Sequence, residues 1–212
     1  MKSKTKTAAI DVRIHVIETA WKMISDKGSS SITLVEVARQ AGVSRQTVYV
    51  NFGSRAGLLL AMVEHSDSRS PELVRLKIRQ PGSTLEESLA HIVRSWFSYV
   101  PVVFKVARAL DAVRETDADA RAAVESRWQL LRSGFLFITA ALQRKGRLAP
   151  GWTPETAADW VYHLAHIDTW QHLVIERGWS PEKVLDQTIA TLLSTLCIEL
   201  PKKPSKLIKN KA

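Results

Sequence analysis

The stretch from residue 33 to residue 55, TLVEVARQAGVSRQTVYVNFGSR, constrains the fold of this chain more than any other. Its first half carries apolar residues at the i, i+3, i+4 spacing that forms one face of a helix. Thr33 precedes that face and Glu36 follows three residues later, which is the capping-box pattern of a helix start. Gly42 can adopt a positive φ, so a second helix can follow after a short turn. The pattern predicts a helix-turn-helix.

The second helix of this pair has the composition of a DNA-recognition helix. Ser44 is a natural N-cap, and Val48 and Phe52 lie four residues apart on the side that faces the core. The long or polar residues on the other side can donate to base edges or phosphates in a major groove. Helix pairs of this kind also occur in all-α proteins that never bind nucleic acid. The candidate DNA-binding residues are Thr33, Ser44, Arg45, Gln46, Thr47, Tyr49 and Arg55.

The same stretch resembles, almost residue by residue, the DNA-binding segment of the TetR family of transcriptional regulators. The resemblance covers residues 10 to 63 well and the rest of the chain only in its helix pattern. It implies a repressor that acts as a homodimer and that a small ligand releases from a palindromic operator on double-stranded DNA. Val50 and Asn51 stand where the family often has a basic, aromatic or histidine residue, which makes the operator preference hard to infer. The matching residues are Val37-Ala38, Ala41-Gly42-Val43-Ser44, Thr47-Val48-Tyr49, Asn51-Phe52 and Gly53-Ser54-Arg55.

The charge of the chain favours a polyanionic partner. The formal net charge is +9 and the isoelectric point is near 9.8, which points to nucleic acid before a membrane surface. Lysines cluster at both ends, where solvated, disordered arms are expected. The single cysteine, Cys197, excludes a disulfide within the chain and favours a reducing compartment. No apolar run approaches the roughly 20 residues that span a bilayer, so we expect a cytoplasmic protein without a membrane partner.

Helical periodicity continues to the end of the chain, with no alternating β pattern and no repeat, and predicts an all-α fold. We expect a three-helix DNA-binding domain at residues 1–53 with a basic arm at 1–8, a helical ligand-binding and dimerisation domain at 54–200, and a basic disordered tail at 201–212. The first predicted helix runs from about Ala9 to Lys27, and the helix-turn-helix adds one helix after Thr33 that carries Leu34 and Ala38 and one capped by Ser44 that carries Val48 and Phe52. A helix capped by Ser54 follows and breaks or kinks between Ser66 and Pro71. The later helices are predicted at Glu72 to Arg79, from the capping box Ser83 and Glu86 to about Val100, from Pro101 through Leu110, at Ala118 to Lys145 with Asp117 as cap, at Thr153 to Arg177, and at Ser180 to Leu200.

Large aromatic residues are frequent between residues 85 and 170, and we interpret them as the walls of a mostly apolar pocket for a small hydrophobic ligand. The alternative for each single ring is a place in the core. His163 and His166 lie one turn apart, which could suit a metal, but no third ligand has a defining spacing, so we predict no metal. The two readings that stay open for His166 are a place at a helix–helix interface and a polar contact in the pocket. The candidate ligand-binding residues are Met62, Trp96, Phe97, Phe104, Trp128, Phe135, His163, His166 and Trp170.

The last two predicted helices are apolar over more than one face, and this excess predicts a four-helix bundle between two copies of the chain. The alternative is that these residues fill the core of one copy. No catalytic arrangement and no cofactor motif is present, so an enzyme is not expected. Two alternatives remain: a DNA-binding or adaptor protein without an effector, which a solidly packed body would favour, and a helical enzyme acting on a hydrophobic substrate. The candidate dimer residues are Ile167, Val174, Leu185, Ile189, Leu192 and Leu196.

Overall fold

The computed structural model describes residues 2–27, 32–76 and 82–198, and over these ranges the chain is helical. An isolated antiparallel bridge joins Leu148 to Cys197. The all-α prediction is confirmed. The elements are α1 (Lys2–Lys27), α2 (Leu34–Gln40), α3 (Arg45–Phe52), α4 (Arg55–Arg69), α5 (Pro71–Leu76), α6 (Leu85–Val113), α7 (Ala118–Arg144), α8 (Pro154–Leu164), α9 (Ile167–Trp170), a π-helix (Gln171–Glu176) and α10 (Pro181–Leu196).

Helix α4 connects the N-terminal helices to the rest of the molecule. It packs against α1 and α3 on one side and against α6 and α7 on the other. The buried apolar residues form one continuous cluster, which runs from Val16 in α1 to Leu196 in α10. Helix α4 is therefore in contact with both the helix-turn-helix and the remaining helices of the body. None of the helices in the described ranges is both long and apolar enough to cross a membrane.

Most helix starts follow from local sequence. Ser44, Ser54 and Ser180 each accept a hydrogen bond from the backbone three residues on, as N-caps do. Thr153 caps α8 with a proline at the first helical position. The amide of residue 120 donates to the carboxylate of Asp117 at 3.0 Å, which starts α7 as predicted.

Three predicted boundaries near the N-terminal half were wrong. Helix α1 begins at Lys2, so residues 2–8 of the expected disordered arm are helical. Helix α6 is capped by Thr84 with Glu87, one residue later than predicted, since Glu86 instead bonds Arg147 at 2.7 Å. Helix α6 also continues through Pro101. Proline removes one intrahelical hydrogen bond, but the helix buries apolar residues on both sides of it, and this burial outweighs the loss.

The predicted helix from Thr153 to Arg177 is interrupted at Ala165. The indole Nε1 of Trp96 donates to the carbonyl oxygen of Ala165 at 2.7 Å, so a carbonyl that no longer serves the helix is still paired. His166 then caps α9, because its Nδ1 accepts from the amide of Asp168 at 3.2 Å. Some predictions concern residues that the structure does not describe. They are the end of the first helix at residue 28, the end of the fifth helix at 77–79, the end of the last helix at 199–200 and the basic tail at 201–212.

Candidate nucleic-acid interface

Helix α3 presents one side to solvent and one to the core, as the sequence predicts. Val48 and Phe52 are buried. Arg45 and Gln46 are exposed, and Tyr49 is 52% exposed. Thr47 is half-buried, and its hydroxyl lies 2.8 Å from that of Ser44, the residue that caps the helix. The outer side of α3 therefore carries donors and acceptors of different lengths, which suits contact with base edges.

The turn before α3 is fixed by its backbone. Gly42 has a φ of +66°, the left-handed conformation that favours glycine. The amide of Val43 donates to the carbonyl of Ala38 at 3.0 Å, which closes the end of α2. Ser44 Oγ then accepts from the amide of Thr47 at 3.0 Å. These bonds set the angle between α2 and α3.

Two residues of α1 that the sequence did not single out hold this pair of helices in place. The guanidinium of Arg13 donates to the carbonyl of Asn51 at 2.8 Å and lies 4.8 Å from the ring centre of Phe52. The ring nitrogen Nε2 of His15 lies 3.1 Å from the carbonyl oxygen of Ala41. These contacts join residues 38 and 26 positions apart, so no local pattern marks them.

Two of the DNA-binding candidates also have structural partners. Thr33 is exposed, and its amide and hydroxyl both donate to the carboxylate of Glu36 at 2.9 Å, which confirms the capping box. Arg55 is half-buried, and its Nε donates to the carbonyl of Ile32 at 3.0 Å. Arg55 therefore ties the start of α4 to the segment that precedes α2. A phosphate contact by Thr33 or Arg55 stays a prediction.

The cavities found among the described residues are not enclosed by the predicted ligand residues. A cavity of about 20 Å³ lies between α4, α6, α7 and α9, and only Trp96 and Trp128 of the nine candidates border it. That volume holds about one water molecule. A larger open cleft of about 350 Å³, which the sequence did not indicate, lies between α1, α4, α5 and α6 and includes the rings of Trp21 and Tyr99.

The other ligand candidates occupy several different environments. His163 is exposed and stacks on Trp160, with 5.7 Å between ring centres. His166 is half-buried and stacks on Trp128 at 4.5 Å, and burial lowers the pKa of its imidazole. The two histidines thus do not share a site, and the described residues contain no group of three potential metal ligands. The remaining candidates are buried or half-buried within the body: Met62, Phe97, Phe104, Phe135 and Trp170.

Beside the small cavity, three polar side chains join three helices. Asp67 of α4 forms a bidentate ion pair with Arg127 of α7, in which Nη1 contacts Oδ2 and Nη2 lies 3.0 Å from Oδ1. The hydroxyl of Tyr99, from α6, contacts Oδ1 of Asp67 at 2.5 Å and Ser66 Oγ at 2.9 Å. Burial and the hydrogen bond to Asp67 raise the pKa of the Tyr99 phenol far above its usual value. We call this group the Asp67–Arg127 pair with Tyr99.

Four of the six predicted dimer residues belong to the core of a single chain. Ile167, Leu192 and Leu196 are at most 1% exposed, and Ile189 is 9% exposed, so their assignment to a subunit contact was wrong. The three α10 residues lie on a helix that packs against α6 and α8 of its own chain, and Ile167 lies in α9, which packs against α6. Val174 and Leu185 remain half-buried. The exposed residues of α10 include the uncharged Gln187, Ala190 and Ser194, which lie along one side of the helix, and the charged Glu182, Lys183 and Asp186.

Comparison with known proteins agrees with the helix-turn-helix. Residues 16–62 match the sequence profile of the bacterial regulatory proteins of the tetR family. The HTH-type transcriptional regulator AcrR of Shigella flexneri is 35% identical over 99 residues, which cover 45% of this chain and 46% of AcrR. The chain thus matches less than half the length of AcrR. The HTH-type transcriptional repressor BepR of Brucella suis biovar 1 is 22% identical over 91% of this chain and 95% of its own.

The fold is similar to that of NalD, the secondary repressor of the MexAB-OprM multidrug efflux pump in Pseudomonas aeruginosa. The TM-score is 0.70 at 20% identity, over 92% of this chain and 100% of NalD. All three relatives are regulators by name, which agrees with the prediction that the chain is not an enzyme. The profile match at residues 16–62, the shared sequence and the common fold show that the chain is similar to the TetR family, whose members are DNA-binding transcriptional regulators.

Proposed function

We propose that this protein is a transcriptional repressor that binds a palindromic operator in double-stranded DNA in the cytoplasm. The observation that carries the proposal is the solvent side of α3, where Arg45, Gln46 and Tyr49 are exposed on a short helix. Caps at its start and the contacts of Arg13 at its end hold that helix in place. The net charge of +9 favours the approach to a polyanion. The names of BepR and NalD, both repressors, support the direction of regulation.

A homodimer is part of the proposal, because one α3 reads too few base pairs for a specific site. Two α3 helices related by a two-fold axis would enter successive major grooves about 34–36 Å apart, or a multiple of that distance. The exposed side of α10 is the surface that we assign to the partner subunit. Its residues Gln187, Ala190 and Ser194 are small or uncharged, which lets a second helix approach closely.

A small, mostly apolar ligand is proposed to release the repressor. Helix α4 packs on α1 and α3 and also borders the cavity through Val63, so a ligand that displaces α4 would also move α3. The cavity of about 20 Å³ requires such a displacement, since no ligand of ordinary size fits without it. The same small volume favours a second candidate function, a DNA-binding regulator without an effector.

The experiment that tests the proposal is selection of bound fragments from a random DNA library with the purified protein. A repressor of this kind enriches a palindrome, and the symmetry of that palindrome reports the dimer. Enrichment of no sequence would refute the proposed function. The enriched fragment then serves as the probe for ligands. Failure of every apolar compound to change its affinity would favour the regulator without an effector.

A further inference from the structure

We infer that the ligand is an apolar molecule carrying a carboxylate, which binds beside the small cavity by replacing Asp67 on the guanidinium of Arg127. Arg127 and Trp128 both border the cavity, together with Trp96, Val103 and Ile167. The walls are therefore mostly apolar, with one arginine among them. The inference rests on the proposed function only in its last step, the effect of the ligand on DNA.

In the described lining of the cavity, the buried side-chain atom without a hydrogen-bond partner is a donor. The indole Nε1 of Trp128 is buried and has no acceptor within reach among the residues that the structure describes. A buried donor of this kind has lost its hydrogen bonds to water and has gained no acceptor in exchange, which is unfavourable. Arg127 uses Nη1 and Nη2 for Asp67 and carries further N–H groups. A ligand that satisfies these groups must bring acceptors, and a carboxylate brings two oxygens that match the guanidinium fork.

The one acidic side chain in the described lining of the cavity, Asp111, has cationic partners, so its charge does not prevent a carboxylate from binding at Arg127. Asp111 is occupied on both oxygens, because Arg114 Nε lies 3.1 Å from Oδ1 and Arg108 Nη1 lies 3.3 Å from Oδ2. The two arginines screen its charge from the cavity. Arg127 is the cationic side chain in the described lining of the cavity, and it is only 18% exposed, where water weakens an ionic contact little.

The position of Asp67 couples this exchange to α4. Asp67 belongs to α4, whereas Arg127 belongs to α7 and Tyr99 to α6. When a ligand carboxylate takes the guanidinium, Asp67 retains only its bond to Tyr99, and α4 loses its ionic attachment to α7. The apolar part of the ligand can then occupy the space that opens between α4 and the cavity walls. The ligand and the Asp67 carboxylate therefore compete for one arginine.

Competition predicts opposite effects for the two partners of the ion pair. We would measure binding of octanoate and decanoate to the protein alone by calorimetry, with 1-octanol and 1-decanol as uncharged counterparts. Asp67→Asn removes the competitor and is expected to tighten decanoate binding by about tenfold or more, whereas Arg127→Gln weakens it by about tenfold or more, as expected for a charge-assisted pair. A purely structural ion pair would shift both variants in the same direction.

One further test variant comes from α7, and matched controls come from α7 and α8. Trp128→Phe should weaken decanoate about fivefold by removing one donor while keeping most of the ring. Trp160 also has a buried Nε1 without a partner among the described residues, but it does not border the cavity. Trp160→Phe should therefore leave decanoate binding unchanged. Arg132→Gln, which removes the α7 arginine that pairs with Asp159 of α8, should likewise leave decanoate binding unchanged. Circular dichroism checks the fold, and Arg127→Lys, with a single point charge, replaces Arg127→Gln if the latter unfolds.

The outcomes separate this inference from the proposed function. Equal binding of decanoate and 1-decanol, no binding of either acid, or equal shifts in Asp67→Asn and Arg127→Gln would each overturn the carboxylate assignment while leaving DNA binding intact. Release of the selected operator fragment by decanoate, measured by fluorescence anisotropy and lost in Arg127→Gln, is the expected final result. A protein that binds decanoate as described but selects no DNA sequence would refute the proposed function alone.

Discussion

Gly57 lies so close to Phe52 that a Cβ at residue 57 would fall 2.0 Å from the Phe52 carbonyl oxygen. Phe52 ends α3, and Gly57 lies in the first turn of α4. The missing side chain therefore allows the recognition helix and the helix that follows it to meet within a very short turn. Ser54 Oγ completes this turn by accepting from the amide of Gly57 at 3.0 Å.

Substitution Gly57→Ala should push α3 and α4 apart. The Cβ meets backbone rather than a flexible side chain, so we expect a loss of roughly 1–3 kcal/mol in the free energy of unfolding. Operator affinity should fall as well, since the turn positions α3. The control is Gly134→Ala in α7, where nothing lies within 4 Å of an added Cβ. That change should stabilise the protein by about 0.5–1 kcal/mol. Urea unfolding compares the two, and a neutral Gly57→Ala would show that the turn is not tightly packed.

The helix-turn-helix could be predicted almost completely because its determinants are local. A cap and its amide are three residues apart, and the apolar face repeats every three or four residues, so Thr33, Ser44 and Phe52 were placed correctly from sequence. Arg13 was missed for the opposite reason. Its partner, the carbonyl of Asn51, is a backbone atom 38 residues away and leaves no trace in the sequence pattern.

Removal of the Arg45 side chain should change which DNA sequence is preferred. Arg45 is exposed at the first position of α3, where an arginine can form two hydrogen bonds with a guanine worth about 1–3 kcal/mol of discrimination. Arg45→Ala should thus weaken operator binding more than binding to random DNA. Val50→Ala is the control, since Val50 is 78% exposed on the same helix and has no hydrogen-bonding side chain. Anisotropy titrations with both DNAs measure the ratio of operator affinity to random-DNA affinity. If Arg45→Ala leaves this ratio unchanged, Arg45 does not take part in base-specific recognition.

Arg55 is expected to combine two roles that salt dependence can separate. A phosphate contact predicts that Arg55→Ala weakens all DNA sequences alike and reduces the salt slope of log affinity by about 0.9. Arg55 Nε also donates to the carbonyl oxygen of Ile32 at 3.0 Å. Arg55→Ala removes this hydrogen bond and should lower the free energy of unfolding by about 1 kcal/mol. Tyr49→Phe, which removes an uncharged hydroxyl, should weaken binding without changing the slope. Lower stability of Arg55→Ala with an unaltered slope would leave only the structural role.

The body of the protein was less predictable, because tertiary contacts there override local signals. Pro101 predicts a helix end, yet α6 continues through it since Val100 and Val103 are buried on either side. The sequence has no proline or glycine at the break near Ala165, and the indole that pairs with the Ala165 carbonyl oxygen belongs to Trp96, 69 residues away. The size of the cavity could not be predicted either, because aromatic composition does not determine whether rings pack against each other or around a space.

The corrected dimer surface leads to a final prediction on α10. Leu192 has no exposed surface, so Leu192→Glu places a charge in the core and should unfold the chain rather than separate two folded subunits. Ala190 is exposed two residues earlier on the opposite side of the same helix. Ala190→Glu should therefore leave the fold intact while like charges face each other across the two-fold axis. Analytical ultracentrifugation should then detect a folded monomer that has lost operator affinity.

The control for this comparison is Glu182→Ala at the start of α10, an exposed residue outside the row formed by Gln187, Ala190 and Ser194. It should sediment as the wild-type protein does. Circular dichroism distinguishes the two α10 variants, since only Leu192→Glu should lose helical signal. If Ala190→Glu remains a dimer with full operator affinity, the partner subunit contacts another surface. The exposed apolar residues Leu130 and Phe137 of α7, 74% and 73% exposed, are then the next positions to substitute.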